Sequence, residues 1–416
     1  MLRWTLFIVS VVALPAFTFA ENWPGWRGPR GDGTSAETNV PVTWDATKNE
    51  NIAWKTPLPY GGHSSAIVWD EHVFVTGADE ATPRRMLIAI DRSTGGILWE
   101  REVDQSPLER KHKLNSWASG TPATDGERVY VSFLDETDML VAAFDFSGRE
   151  IWKVRPGAFS SVHGFCSSPV IFENLLIVNG DHDGESYLLA LDRKSGQTAW
   201  KTLREYKTRS YCTPIIREIG GRTQMILSGS KCVASYDPHT GQQLWMLDGP
   251  TEQFVASPVM NAGLVFITGG FPDKHIIAID PRGSGKITEN SHVKWHHLNK
   301  GVSYVPSPVA ADKYFFCVSD AGIASCYDAV TGTVHWQERL GRHFSGSLVT
   351  AGNKVYFLDD DGITHVVNAD AQFAEVAQNP LGEEAYSSPA ISRGQIFIRG
   401  EQHLFCIGKG ERTAGR

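Results

Sequence analysis

The stretch AIDRSTGGILW, Ala89 to Trp99, decides the reading of this chain because it comes back four more times. It returns as AFDFSGREIW (Ala143–Trp152), ALDRKSGQTAW (Ala190–Trp200), SYDPHTGQQLW (Ser235–Trp245) and CYDAVTGTVHW (Cys326–Trp336). In each copy an apolar strand ends in Asp, a short turn closes on Gly, and Trp follows that Gly by four residues: Gly95, Gly148, Gly196, Gly241 and Gly332. Such a turn joins two antiparallel strands, with Gly taking the left-handed conformation that closes a bulged hairpin. A sixth copy, AIDPRGSGKITENSHVKW (Ala278–Trp295), carries a longer turn, and a seventh relative near Val367 and Asn368 has lost both Asp and Trp.

A second landmark sits ahead of each hairpin. Small-residue steps read HSSAIV, SGTPAT, CSSPVI, YCTPII, ASPVM, PSPVA, SGSLVT and YSSPAI, with Ala66, Pro122, Pro169, Pro214, Pro258, Pro308, Leu348 and Pro389 at the recurring position. Their spacings of 56, 47, 45, 44, 50, 40 and 41 residues mark eight units. Runs such as RVYVSF, LLIVNG, LVFITG and KVYFLD lie between the landmarks and read as half-buried strands by their period of two. Pro removes a ladder donor and suits an edge strand, so the strand after each step is placed innermost, along a channel. Eight units of four short strands without intervening helices predict an eight-bladed β-propeller, all-β, with four-stranded antiparallel blades. The last unit stops without a Trp strand, whereas NIAWKTPL (Asn51–Leu58) carries Trp54 with no strands of its own before it. Placed as the outer strand of the last blade, that N-terminal strand closes the ring and leaves no free edge there.

Composition narrows the partners. The 416 residues hold 39 Lys+Arg against 47 Asp+Glu, a formal charge of −8, which argues against nucleic acid as a partner. Residues 1–20, MLRWTLFIVSVVALPAFTFA, read as a signal peptide: Arg3, an apolar run from Leu6 to Leu14, and Thr18-Phe19-Ala20 before a cut ahead of Glu21. The run is too short to span a bilayer comfortably, which takes about 20 residues. No Cys follows the cut to carry a lipid, and no membrane span is expected after cleavage. The expected order is signal peptide (1–20), irregular segment (21–50), propeller (51–408) and C-terminal tail (409–416), in a periplasmic or secreted protein. Six scattered cysteines in apolar runs read as buried thiols, and if one bridge forms, Cys166 and Cys212 are its candidates because they fall at similar points of successive units.

The AxDxxTGxxxW pattern with its SSP steps resembles the PQQ-binding-like β-propeller repeat family, the quinoprotein alcohol dehydrogenase-like superfamily. That superfamily also includes the propeller lipoprotein of the outer-membrane β-barrel assembly machine. The likeness covers Asn51 to Gly408, and NWPGWRGPRGDG (Asn22–Gly33) is similar to a segment ahead of the propeller in many secreted members. The resemblance implies that Trp54, Trp99, Trp152, Trp200, Trp245, Trp295 and Trp336 dock between neighbouring blades. It also raises pyrroloquinoline quinone (PQQ) with Ca²⁺ as a cofactor and a catalytic Asp as base. Against an active dehydrogenase stand the missing adjacent Cys pair, the missing CxxCH and the scarcity of long blade insertions.

Few side chains carry chemistry. Asp181, Asp183 and Glu185 in DHDGE, and Asp359, Asp360 and Asp361 in LDDDG, read as Asp-Gly turns rather than cation sites. GSGKIT (Gly283–Thr288) fails the phosphate-loop pattern, and neither HExxH nor GxSxG occurs. The residues just before each inner strand gather at the channel mouth: His63, Trp117, His163, Arg209, Tyr211, Phe254, Tyr304, His343 and Tyr386. Aromatics with three His and an Arg suit a sugar, a quinone or a peptide. The expected function is an exported, non-catalytic binding or protein-interaction scaffold of the cell envelope, its partner an envelope protein or a small-molecule or polysaccharide ligand. A PQQ-dependent oxidoreductase and a polysaccharide-binding module are the alternatives.

Overall fold

In the computed structural model, which describes residues 20–298 and 301–410, each repeat folds into one antiparallel sheet and eight sheets stand around an axis. The signal-peptide reading lies outside the described residues apart from Ala20, as does the tail beyond residue 410. The first blade shows the plan, running outward through Ile67–Trp69, His72–Asp79, Arg84–Asp91 and Ile97–Gln105. The eighth consists of Ala390–Ser392, Gln395–Arg399 and His403–Ile407, closed on its outer side by Ile52–Pro57. Trp54 there pairs with Cys406, so the ring is sealed by strands from the two ends of the propeller. A single turn of helix, Glu289–His292, lies in the long loop of the fifth blade. No helix among the described residues is long and apolar enough to cross a membrane.

The middle strands are not half-buried as their alternation suggests. All six residues of Leu175–Gly180 and of Leu264–Gly269 are buried. Each blade packs against a neighbour on both faces, so both side-chain rows of a middle strand enter a seam between blades. One apolar cluster, for example, joins Phe74, Leu87 and Ala89 of the first blade to Val129, Val131 and Leu140 of the second. Alternation survives in outer strands such as IAWKTP at Ile52–Pro57, where Trp54 and Thr56 are buried and Lys55 and Pro57 exposed.

The Asp-turn-Gly-Trp repeat is a joint between blades. The indole Nε1 of Trp54 donates to the carbonyl of Arg92 in the next blade (2.7 Å), Trp99 to Phe146 (2.8 Å) and Trp152 to Arg193 (3.1 Å). Trp200 reaches Pro238, Trp295 Ala329 and Trp336 Asp370, each at 3.0 Å. The turn glycine of the receiving blade lies under the incoming ring: Gly196 has φ +74°, and a Cβ there would sit 2.8 Å from Trp152. Both the backbone conformation and the close approach require glycine. Trp245 departs from the pattern by donating to Gln224 of its own blade (2.8 Å). The next turn is the long one, and its Gly285–Ile287 segment instead pairs in parallel with the Trp245 strand.

Residues 21–50 keep irregular backbone but seal one end of the channel. Trp23 pairs with Val68 of the first blade, and Pro24 accepts from Thr124 of the second. Arg217 of the fourth blade donates to the Arg30 carbonyl and to Asp32 (2.8 Å). The buried guanidinium of Arg27 reaches the carbonyls of Pro308 in the sixth blade and Leu348 in the seventh. Thr34–Ser35 then pairs with Val349–Ala351, the innermost strand of the seventh blade.

Candidate functional site

With one end crossed by this segment, the channel becomes a cup of about 710 Å³ that opens where the outer strands return inward. Its deep wall is built from the small-residue steps. The N–H of Ser65 donates to Thr121 Oγ1 (2.9 Å) in the next blade, and Thr121 N–H donates to Ser168 Oγ (3.0 Å). Thr213 continues to Ser257 (2.8 Å), Ser257 to Ser307 (3.0 Å), Ser307 to Ser347 (2.9 Å), Ser347 to Ser388 (2.9 Å) and Ser388 back to Ser65 (2.9 Å). Only the step from Ser168 to Thr213 lacks such a bond among the described residues. Because each of these hydroxyl oxygens except that of Thr213 accepts a backbone N–H, its own proton remains to be donated. Ser65, Thr121, Ser168, Thr213, Ser347 and Ser388 line the cup, and no hydrogen bond donated by these six hydroxyls is found among the described residues; Ser257 and Ser307 are buried and do not line it.

Above the hoop the wall is cationic and aromatic. Arg209 pairs through Nη1 with Asp183 (2.5 Å), while its Nε is buried without a partner. His163 Nδ1 lies 3.0 Å from the Tyr211 hydroxyl, which also meets Ser161 (2.7 Å). Burial, together with the Arg209 charge and His112, holds His163 below the usual histidine value. Across the cup Lys274 pairs with Asp320 (2.7 Å), whose carboxylate also accepts the N–H groups of Tyr304 and Val305. The Tyr304 hydroxyl accepts from Gln253 (2.7 Å), and burial pushes it up to about 12. His63 pairs with Glu401 (3.0 Å) and packs on Tyr386, their ring centroids 4.7 Å apart. Trp26, from the N-terminal segment, joins the lining.

Of the residues expected at the mouth, the structure brings His63, His163, Arg209, Tyr211, Tyr304 and Tyr386 into this one cup. Trp117 lines a smaller adjoining cleft, its Nε1 donating to Glu109 (2.7 Å) and its ring under the Lys111 ammonium. His343 is exposed and does not line the cup. Phe254 is wholly buried in the core between the fourth and fifth blades. Sequence reasoning passed over His112, Asn115, Gln253, Lys274, Asp320 and Trp26. Lys274 and Asp320 sit on loops between the second and third strands, which reach the same mouth but carry no step motif to mark them.

The acidic clusters spread apart. Asp181 is buried against Arg204 (2.9 Å) and Ser210 (2.8 Å), so it serves as more than a turn residue, and burial raises its carboxyl despite the arginine. Asp183 goes to Arg209 and Glu185 to Lys207. Asp359 accepts the N–H of Ile363, Asp360 binds Ser345 and Asp361 faces Arg342. No group of three or more His, Cys, Asp or Glu among the described residues converges as a metal site. All six cysteines are free thiols, so Cys166 and Cys212 are not bridged; Cys166 lines the cup, with its thiol pushed up to about 12 by burial. The cup has donors for the carboxylates of PQQ, but among the described residues no cluster of three or more His, Cys, Asp or Glu offers Ca²⁺ a carboxylate set, so the fit to PQQ with Ca²⁺ is poor.

The chain matches the family described as outer membrane protein assembly factor BamB over residues 83–282 and 272–411. Among solved structures it is similar to BamB from Moraxella catarrhalis, with a TM-score of 0.62 and 13% identity over 86% of this chain and 99% of that one. It is also similar to the quinohemoprotein alcohol dehydrogenase of Comamonas testosteroni, with a TM-score of 0.65 and 14% identity over 95% and 82% of the two chains. A europium-containing methanol dehydrogenase gives 0.56 and 12% identity over 92% and 90%. Likenesses at these identities speak to the fold. No curated protein matches the chain.

Proposed function

The chain belongs to the propeller family described as outer membrane protein assembly factor BamB, and from that premise we propose that it is an exported, non-catalytic binding scaffold of the cell envelope whose cup holds an acidic, oxygen-rich ligand such as the end of a uronic-acid glycan. One observation carries this reading: the cup has donors left over. Its hydroxyl hoop accepts backbone N–H groups and keeps its protons, and the buried Nε–H of Arg209 has no acceptor. A buried donor without a partner carries a desolvation penalty, and a ligand rich in carboxylate and hydroxyl oxygens relieves it. Tyr211, Tyr304 and Tyr386 supply flat surfaces against which a sugar ring packs.

The alternative, a PQQ-dependent oxidoreductase, shares the propeller and the cup. Against it weigh the six free thiols and the lack, among the described residues, of a cluster of three His, Cys, Asp or Glu to support its Ca²⁺. The test is titration calorimetry of the chain from Glu21 with oligogalacturonate, with the neutral oligosaccharide as control. Binding of the acidic sugar alone, lost in a His163→Ala/Arg209→Ala variant, is the expected result. His163 is held neutral by burial beside Arg209 and His112, with Asp183 opposing them. An anion placed against its ring favours the protonated form, so affinity rises as pH falls from the value of the bound state toward the lowered one of the free protein. Equal binding of the neutral sugar, or an affinity indifferent to both side chains, contradicts the reading.

A further inference from the structure

Glu37 is a carboxylate buried to 1% exposure, yet no Lys, Arg or His side chain among the described residues pairs with it. Its oxygens are met by backbone N–H groups: Arg393 at 2.6 Å, Gly394, and Glu21 at 3.0 Å from Oε1. Three backbone N–H groups satisfy the carboxylate oxygens but bring no net charge, so a cation introduced at this site has an ion-pair partner waiting. Around Glu21 everything else is already engaged. Its carboxylate takes both terminal nitrogens of Arg30 (2.7 and 2.8 Å) and the N–H of Ala36 (2.9 Å), and its carbonyl accepts from Ser392 (2.6 Å). Ala20, by contrast, is exposed.

We propose that removal of residues 1–20 turns the Glu21 backbone nitrogen into an α-ammonium that forms a buried ion pair with Glu37, so that export processing completes the N-terminal seal of the propeller. Hydrolysis of the Ala20–Glu21 peptide bond by one water leaves a carboxylate on Ala20 and an amine on Glu21. That amine takes up a proton at neutral pH. Before the cut the nitrogen offers Glu37 a single neutral N–H; after it, the nitrogen offers a positive charge and three donors, and charge-assisted bonds are the stronger kind. The site ties three parts of the chain together: the segment over the channel end, the Glu37 turn and the Arg393–Gly394 hairpin of the eighth blade. The inference rests on reading residues 1–20 as a removed leader, and the test separates the two.

One chain is made to begin at Glu21 and another with Gly-Ser ahead of Glu21, each released from a fusion by a protease. The folded proteins are exposed at neutral pH to a limiting acylating reagent, and α-amine labelling is read by mass spectrometry. An ion pair that raises the amine pKa by one unit cuts the free amine, and so the labelling rate, about tenfold. The expected result is slow labelling of the Glu21 chain, ordinary labelling of the extended chain and a lower unfolding midpoint for the latter. Glu37→Gln should restore labelling of the Glu21 chain and erase the difference in midpoint. Equal labelling and equal midpoints in the two chains overturn the ion pair without recourse to a substitution. The mass of the naturally exported protein judges the leader separately: a chain that starts at Glu21 supports the maturation step, and any other start overturns it.

Discussion

Two rings of hydrogen bonds tie the blades to one another, and they are made from opposite kinds of side chain. The outer ring is aromatic: an indole N–H from one blade meets a turn carbonyl of the next, over a glycine that has no room for a Cβ. The inner ring is polar: a backbone N–H from one blade meets a serine or threonine oxygen of the next. Both run in the same sense, from earlier blade to later. They fail at different places, the outer at Trp245 between the fourth and fifth blades and again between the seventh and eighth, where EVAQNP (Glu375–Pro380) has no Trp, the inner between Ser168 and Thr213 of the third and fourth. The outer ring uses both halves of every bond, leaving nothing to offer a ligand. The inner ring leaves hydroxyl protons over at Ser65, Thr121, Ser168, Ser347 and Ser388, which line the cup. One repeat therefore ties blades together at its rim and leaves unused donors at its centre.

The strongest way to break the comparison is at the outer ring. Trp336, buried and bonded to Asp370 of the next blade, should cost about 3–5 kcal/mol of stability as Trp336→Ala, the usual range for a buried large aromatic, and the half-buried Trp200 should cost less as Trp200→Ala. Denaturant midpoints with unchanged m-values check this. Next, Gly196→Ala forces a Cβ against Trp152 at positive φ and should cost about 1–3 kcal/mol, whereas the same change at a turn glycine with open space, such as Gly221, meets backbone strain alone. In the inner ring, Ser347→Ala orphans the Ser307 N–H and should cost about 1–2 kcal/mol. Thr213→Ala orphans no backbone donor and should cost less, which would sharpen the difference between a closed and an open link.

The smallest expected effect concerns pH. Neither ring contains a titratable group, so neither should weaken between pH 5 and 8. His365 is a third kind of tie, with Nδ1 2.7 Å from Glu375 and Nε2 3.5 Å from Asp359. Burial pulls its pKa down, but the hydrogen bonds to the two carboxylates outweigh that and raise it above the ordinary value. Its stabilising contribution is therefore complete below about 6.5 and is lost as pH rises through the raised value in the folded state. Unfolding midpoints of His365→Gln should lose that part of the pH dependence and match the parent most closely at the alkaline end.

The fold was legible because its rules are local and repeated. A glycine four residues before a tryptophan is a short-range signal whose five copies fix the hairpin, and the eight small-residue steps fix the blade count. The ring closure by Ile52–Pro57 was legible for the same reason, as a Trp strand with no strands of its own. The middle strands misled because alternation reports one buried face, whereas a blade has two. The cup was half legible. Residues ahead of the inner strands share one position in the repeat, so His163 and Arg209 were found, whereas Lys274 and Asp320 lie on loops of varying length. His343 and Trp117 hold the right position, yet His343 stays exposed and the Trp117 indole is anchored at Glu109. The N-terminal seal was illegible: nothing in NWPGWRGPRGDG tells which distant carbonyls Arg27 will meet.

The account turns on the claim that the inner ring and its cationic wall make a binding cup. Thermal unfolding of the chain from Glu21 with oligogalacturonate, and separately with PQQ and Ca²⁺, tests it most directly. Ligand at a hundred times its dissociation constant adds about 2.7 kcal/mol, enough to move the midpoint visibly. The account predicts a shift with the acidic sugar that disappears in the His163→Ala/Arg209→Ala variant. A shift that requires PQQ and Ca²⁺ together, with none from the sugar, would contradict it and return the protein to the dehydrogenases.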